Sequence, residues 1–231
     1  TRRIIHKNNA FFQIWASGRE IICTPRHQFF SVTKDGITLV GANKLKNGMY
    51  LAAPREIKYK GKLRYNPQFW RLIGYILGDG LLSEARRGVI ITDKNKKFIN
   101  FYSSIASSVI RRKPTITRAG RYNSWLLNIY SIDFLQKLRA LGIAQKGSHR
   151  RVPPAIFGAT EAEIAAFIAG FYDAEGNSGS IKLFSSSKEM LKDFQMLFLR
   201  LGIDTFLYER VRDVTLPGGK MLKKNKIYVL H

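Results

Sequence analysis

The apolar positions fall into two regimes. Up to about residue 57 they come in short runs, FFQIWA, EIICT, FFSV, ITLV and YLAA, separated by the turn signals SGR, KDG and KNG. That pattern predicts short strands joined by tight turns. Residues 58–66, KYKGKLRYN, carry no apolar periodicity and read as a basic connector. At Pro67 the spacing changes, and a proline in the first turn opens a helix predicted to run to about Gly78. LLSEARRGVIIT predicts a hairpin around Arg86–Gly88, and Phe98, Tyr102, Ile105 and Val109 predict a helix from about Asn95 to Arg111. PTITRAGRYNSWLLNIYS predicts a second hairpin turning at Ala119–Gly120. SIDFLQKLRALGI predicts a further helix, with Ser131 as its N-cap and Gly142 as its stop.

The plan then repeats. SGSIKLFSS predicts a strand, SKEMLKDFQMLFLRLGI a helix, and TFLYERVRDV with KIYVL a hairpin around Pro217–Gly219. AQKGSHRRVPPAIFGAT (144–160) links the copies, and the last helix of the first copy has no counterpart in the second. The expected class is α+β, with a β-rich segment at 1–57, a first half at 58–147 and a second at 148–231.

Each half is organised around one apolar run, LIGYILGDG at 72–80 and IAGFYDAEG at 168–176. Gly74 and Gly78 lie four apart, as do Gly170 and Ala174, so each pair occupies one helical face. Faces without bulk let two helices pack with close backbones. Asp79 and Glu175 then emerge at the helix ends, with Gly80 and Gly176 expected as C-terminal stops. A carboxylate at a helix C-terminus faces the negative end of the macrodipole and is poorly placed for stability. Two of them together form a site that wants a cation, and all-oxygen ligands suit hard ions such as Mg²⁺.

Charge narrows the partner. Thirty-nine Lys and Arg against 16 Asp and Glu give a net +23, spread along the whole chain. An excess of this size points to a polyanion, with nucleic acid ahead of an anionic membrane. No apolar run reaches the roughly 18 residues of a membrane span, and no isolated basic amphipathic helix is present. The single cysteine, Cys23, excludes an internal disulfide and fits a reducing, cytoplasmic setting.

The two runs resemble the paired LAGLIDADG motifs of homing endonucleases. Matched position by position, Asp79 and Glu175 fall on the motif's final acidic residue, its metal ligand. The sixth position is Asp173 in the second copy and Leu77 in the first. The resemblance implies two pseudo-symmetric αββαββα half-domains forming a DNA-binding saddle. It also implies site-specific, metal-dependent cleavage of both strands of double-stranded DNA by a monomer needing no obligate protein partner. Mg²⁺ or Mn²⁺ would be held at Asp79 and Glu175, beside Gly78 and Ala174. A basic residue after the strand that follows each motif is also implied. VIITDKN supplies Lys94, with Asp93 before it, whereas LFSSSK supplies Ser185 and Ser186, with Lys188 two residues late. Lys94 is therefore a catalytic candidate, and Asp93 reads alternatively as a cap of the next helix. A β-ribbon fits the major groove, so the hairpin residues Arg86, Arg87, Arg118, Arg121, Asn123, Lys182, Arg210, Arg212, Lys220 and Lys223 are DNA-contact candidates. Arg150 and Arg151 of the linker join them as phosphate contacts. Two halves of different sequence imply a long, asymmetric site.

GREIICTPRHQFFSV and ANKLKNGMYLAAPR resemble the middle of an intein (Hint) splicing domain, with Thr24 and His27 on its T-x-x-H element. The chain begins inside that pattern and no Asn follows His231, so Thr24 and His27 are expected to be vestigial. The enzyme reading has an alternative, a non-cleaving nucleic-acid binder on the same scaffold such as an RNA-splicing maturase or a regulator. Such relatives often lose one acid, and here both are present.

Overall fold

Two helices packed almost backbone to backbone form the centre of the larger of two units. The computed structural model describes residues 11–62, 65–119, 123–143, 147–177, 179–215 and 221–231. It divides into Thr1–Glu56 and Ile57–His231.

The first unit consists of hairpins. β1 (Phe12–Ala16) pairs antiparallel with β2 (Arg19–Cys23) through Ser17 and Gly18, whose φ angles of 49° and 72° suit a primed two-residue turn. β3 (Gln28–Thr33) pairs with β4 (Gly36–Gly41) as a separate two-stranded sheet.

The second unit repeats one plan. α1 (Pro67–Asp79) is capped by Asn66, whose side chain accepts from Gln68 N at 2.9 Å. β5 (Gly80–Ser83), β6 (Gly88–Asp93), α2 (Lys96–Ile110), β7 (Thr115–Ala119), β8 (Ser124–Tyr130) and α3 (Ile132–Ala140) follow. Ser131 caps α3 by accepting from Phe134 N, and Gly142 follows the helix at φ 83°. α4 (Glu161–Glu175) opens with a capping box between Thr160 and the buried Glu163, which also accepts from Tyr65 N. β9 (Gly176–Asn177), β10 (Ser180–Ser185), α5 (Lys188–Arg200), β11 (Leu207–Thr215) and β12 (Met221–Leu230) complete it.

Both four-stranded sheets share one strand order, β5-β6-β8-β7 and β9-β10-β12-β11, with every pairing antiparallel. Alternation gives each sheet two faces. Val89, Ile91, Leu127 and Ile129 of the first, and Leu183, Leu207 and Leu230 of the second, enter one continuous core with Trp70, Tyr75, Phe167, Phe171 and Phe194 of the helices. The opposite faces turn away from the helices. Arg200, 7 % exposed, ties the connector to the second half by donating to Tyr59 O, Phe157 O and Ala159 O.

The helix pair is built on small residues, reciprocally. A Cβ on Gly74 would lie 2.1 Å from Phe167 O, one on Gly170 2.0 Å from Arg71 O, and one on Gly78 2.5 Å from Ala174 Cβ. Gly80 and Gly176 stop the two helices as expected. They do so in extended conformation, at φ −77° and −79°, and not in the left-handed region. Glycine is needed there for space, because a Cβ would lie 2.5 Å from Ile76 O at Gly80 and 2.3 Å from Tyr172 O at Gly176.

Gly74→Ala is expected to lower the unfolding free energy by about 3 kcal/mol or more, since backbone and not a flexible side chain meets the new methyl. Gly142→Ala, at φ 83° with open space around the missing side chain, should lose only about 1 kcal/mol of backbone strain. Urea titrations of both variants test the contrast, and equal losses would show that the helix contact is not the tight one.

Candidate functional site

Asp79 is the last residue of α1 and Glu175 the last of α4, so the close helix pairing carries one carboxylate from each half to a common end. With Gly78, Arg150, Leu82 and Ile143 they line an open cleft of about 390 Å³. Neither acid is comfortable as an anion. Desolvation, and then the charge of Asp93, push the Asp79 carboxyl up to about 6, against the pull of Arg150. Desolvation, and then the charge of Asp79, push Glu175 up to about 7, again opposed by Arg150. The negative ends of two helices act in the same direction.

A cation already sits among these oxygens. Arg150 Nη1 donates to Gly78 O at 2.7 Å and lies 3.7 Å from Glu175 Oε1. The sequence assigned Arg150 to a phosphate, whereas the structure places it at the acid pair. An all-oxygen set that attracts a cation fits a hard divalent ion. Among the described residues no group of three or more His, Cys, Asp or Glu is arranged to hold a metal. The protein's share would be two carboxylates and main-chain carbonyls, with other positions left to water or substrate. Gly78 and Ala174 occupy the last turns of the two helices, in contact with each other.

The two halves share a strand end with different chemistry. Asp93 Oδ1 accepts from Asn95 N at 2.7 Å, and Ser185 Oγ accepts from Ser187 N at 3.0 Å. Asn95 and Ser187 then cap α2 and α5. Asp93 is therefore not the helix cap. Its other oxygen accepts from Tyr75 OH at 2.7 Å, and burial together with that bond raises the phenol so that it stays a donor. Lys94 is exposed and corresponds to Ser186, also exposed; Lys188 is already the first residue of α5. Asp93 as a third carboxylate near Asp79 is absent from the sequence reading. Its only signal there is an acid directly before Lys94.

Asp173, at the sixth motif position, faces away from this centre. Its Oδ2 accepts from Arg71 Nη2 at 2.6 Å and from Tyr102 OH at 2.5 Å, tying α4 to α1 and α2.

The hairpin candidates separate by face. Lys182 and Arg210 have the strand parity opposite to Leu183 and Leu207, which places them on the face away from the helices. Arg86 lies in the β5–β6 turn and donates to Asn128 Oδ1, which shares the outer face of the first sheet with Thr115 and Thr117. Asn128 is itself buried, and the exposed Thr115 and Thr117 escaped the sequence reading, which weighed charge above register. Arg87 sits in the same turn at φ 50°. Arg118 lies on the helix-side parity, over the Trp125 ring, and donates to Asn123 Oδ1 at 2.6 Å. Arg151 grips Asp193 with two hydrogen bonds of 2.7 and 2.8 Å, so its fork anchors the linker to α5. Arg121 and Lys220 lie outside the described residues, and the side chains of Arg212 and Lys223 are likewise not described. In the first unit, Thr24 and His27 close a turn, His27 N donating to Thr24 O at 3.0 Å, and the His27 ring packs on Phe29.

Raised carboxyl values have a definite sign in stability. The folded state binds protons that the unfolded state has released, so stability falls as pH rises from about 4 to about 7. In EDTA, Asp79→Asn and Glu175→Gln should each melt above wild type at pH 8, with the gap closing near pH 4. A melting-temperature series across that range decides it, and a gap independent of pH would mean that the acids are not strained.

Comparison with known proteins bears on this arrangement. Residues 162–227 match the LAGLIDADG-like domain. The chain is 29 % identical over 228 residues to the ribonucleoside-diphosphate reductase NrdEB subunit alpha of Bacillus subtilis, covering 88 % of this chain and 21 % of that one. It is 27 % identical to the replication factor C small subunit of Methanocaldococcus jannaschii, over 89 % of this chain and 11 % of that one. The chain thus spans about a fifth of the length of the first of these relatives and less of the second. Among solved structures, mesophilic variants of the homing endonuclease I-DmoI superpose with a TM-score of 0.51 at 19 % identity, over 71 % of this chain and 82 % of that one. I-DmoI in complex with DNA and Ca superposes at 0.50 with 18 % identity, over 71 % and 81 %. Residues 162–227 are thus similar to the LAGLIDADG-like domain, and the chain has the α+β fold of the homing endonuclease I-DmoI.

Proposed function

We propose that this chain is a metal-dependent, site-specific DNA endonuclease of the homing type that resides in an intein. The observation that carries the reading is the acid pair: one carboxylate per half, brought together at the ends of two helices and destabilised there as anions. Asp79 and Glu175, with the main-chain carbonyls of Gly78 and Ala174, would hold Mg²⁺ or Mn²⁺, which when bound supplies Lewis-acid activation of water and charge for the leaving oxygen.

The chain's own residues do the remaining work. Each acid serves one strand, so a monomer suffices for a double-strand cut. Lys94, at the strand end of the first half, holds positive charge toward the reacting phosphate, and Tyr75 fixes Asp93 beside it. The outer sheet faces, with Lys182, Arg210, Arg86 and Thr117, meet double-stranded DNA, and the net charge of +23 draws in its backbone. Ser186 in place of lysine makes the second half the slower one. The complex of I-DmoI with DNA and Ca supports this choice of partner and of a divalent ion.

The intein reading has a separate support. A ribonucleoside-diphosphate reductase subunit and a replication factor C subunit are different proteins by name, yet the chain matches a piece of each. A segment common to different proteins behaves as an insert and not as part of either activity. In this reading Thr24 and His27 are vestigial, and the chain works in the cytoplasm on DNA.

Digestion of a randomised double-stranded library with Mg²⁺ should give discrete double-strand cuts that EDTA abolishes. Asp79→Asn or Glu175→Gln should slow cutting by roughly a thousandfold. Lys94→Ala should slow one strand by about a hundredfold, leaving nicked product. Tight, salt-sensitive binding without any cut would replace the nuclease by a non-cleaving binder.

A further inference from the structure

We propose that Arg150 is the resident counter-cation of the acid pair, holding Gly78 O and Glu175 in the metal-free protein and leaving Gly78 O when a divalent ion arrives. The inference rests on the metal-centre reading above and adds to it a competition between two cations.

The contact is built, not incidental. Arg150 comes from the linker between the halves, and its backbone is pinned on both sides. Its carbonyl accepts from the buried Ser187 Oγ at 2.6 Å. Its amide donates to Gly147 O at 3.2 Å. The next residue, Arg151, grips Asp193 of α5 with two bonds, and Val152 N donates to the same carboxylate at 3.2 Å. The second half thereby delivers this guanidinium across to the first. There Nη1 takes Gly78 O at 2.7 Å. A carbonyl in the last turn of a helix lacks an intrahelical donor and wants one from elsewhere.

Three physical consequences follow. A guanidinium carries its positive charge throughout, so only movement of the side chain can take that charge away from the acids. A divalent ion drawn to Glu175, Asp79 and Gly78 O meets a positive charge within a few ångströms, and at that distance repulsion is large even with substantial screening. Binding of the ion and retention of the Arg150 contact are therefore negatively coupled, by the same amount in either direction. The arrangement offsets part of the negative charge of two carboxylates while no metal is bound, at the expense of metal affinity.

The test uses the whole chain without DNA. Mn²⁺ binding is followed by loss of the free-ion EPR signal for wild type, Arg150→Gln, Arg150→Lys, Arg151→Gln and Asp79→Asn, and melting is recorded in EDTA and in saturating Mn²⁺. Arg150→Gln should bind Mn²⁺ about tenfold more tightly than wild type. It should melt lower than wild type in EDTA and level with it in Mn²⁺. Arg150→Lys keeps the charge without the fork and should fall between, which also serves if the glutamine variant does not fold. Arg151→Gln, which loosens the linker that carries Arg150, should tighten Mn²⁺ binding in the same direction but by less than Arg150→Gln. Equal or weaker Mn²⁺ binding by both Arg150 variants, with wild type binding and Asp79→Asn not, overturns the counter-cation and spares the metal centre. Equal binding by wild type and Asp79→Asn overturns the metal centre, and the counter-cation with it.

Discussion

Everything in the larger unit depends on how closely two helix backbones approach. Gly74 and Gly170 each face the other helix's main chain with no room for a methyl group, and Gly78 meets Ala174 one turn later. Contact at that range fixes the helices in both rotation and translation, because ridges of side chains no longer cushion the fit. Asp79 and Glu175 are the next residues after this last contact. Their separation is therefore set by backbone, and a rigid scaffold holds two anions where neither would choose to be.

That frustration is the functional content of the site. Desolvation raises both carboxyl values, the charge of Asp93 adds to it at Asp79 and that of Asp79 at Glu175, and the helix C-termini act in the same direction. Functional sites are where such arrangements are kept. The fold stabilises them with Arg150, a cation supplied from the linker, and sets Asp93 nearby through Tyr75. Asp173 shows the opposite solution a short distance along α4. With Arg71 and Tyr102 as partners it is satisfied within the protein and acts as a cross-link between the halves.

The halves share topology without sharing chemistry. Strand order, the cap at each strand end and the glycine contacts all repeat, yet Asp93 and Lys94 stand opposite Ser185 and Ser186. Duplication conserves what packing requires, namely small residues in the helix face and a side-chain acceptor after the strand. It leaves free what only a ligand reads. An asymmetric polyanion is the partner that such a pair of sheets suits.

Much of this was legible along the chain. The glycine pairs, the two terminal acids, the N-caps at Ser131 and Pro67's place in a first turn are local features, and each acts through the same few residues that display it. What the sequence could not settle depends on partners far away in the chain. Arg150 and Arg151 are adjacent and chemically alike, and no pattern separates them. Only the packing of the linker on Ser187 and Asp193 sends one to the acids and the other to α5. Likewise Asn128 and Thr117 carry no charge to betray them, and register alone put them on the outer face. Local propensity and spacing determine which elements form and which residues end them. Which charges meet is decided by tertiary contacts between residues about a hundred or fewer positions apart, because Coulomb and hydrogen-bond energies depend on distance in space and not along the chain.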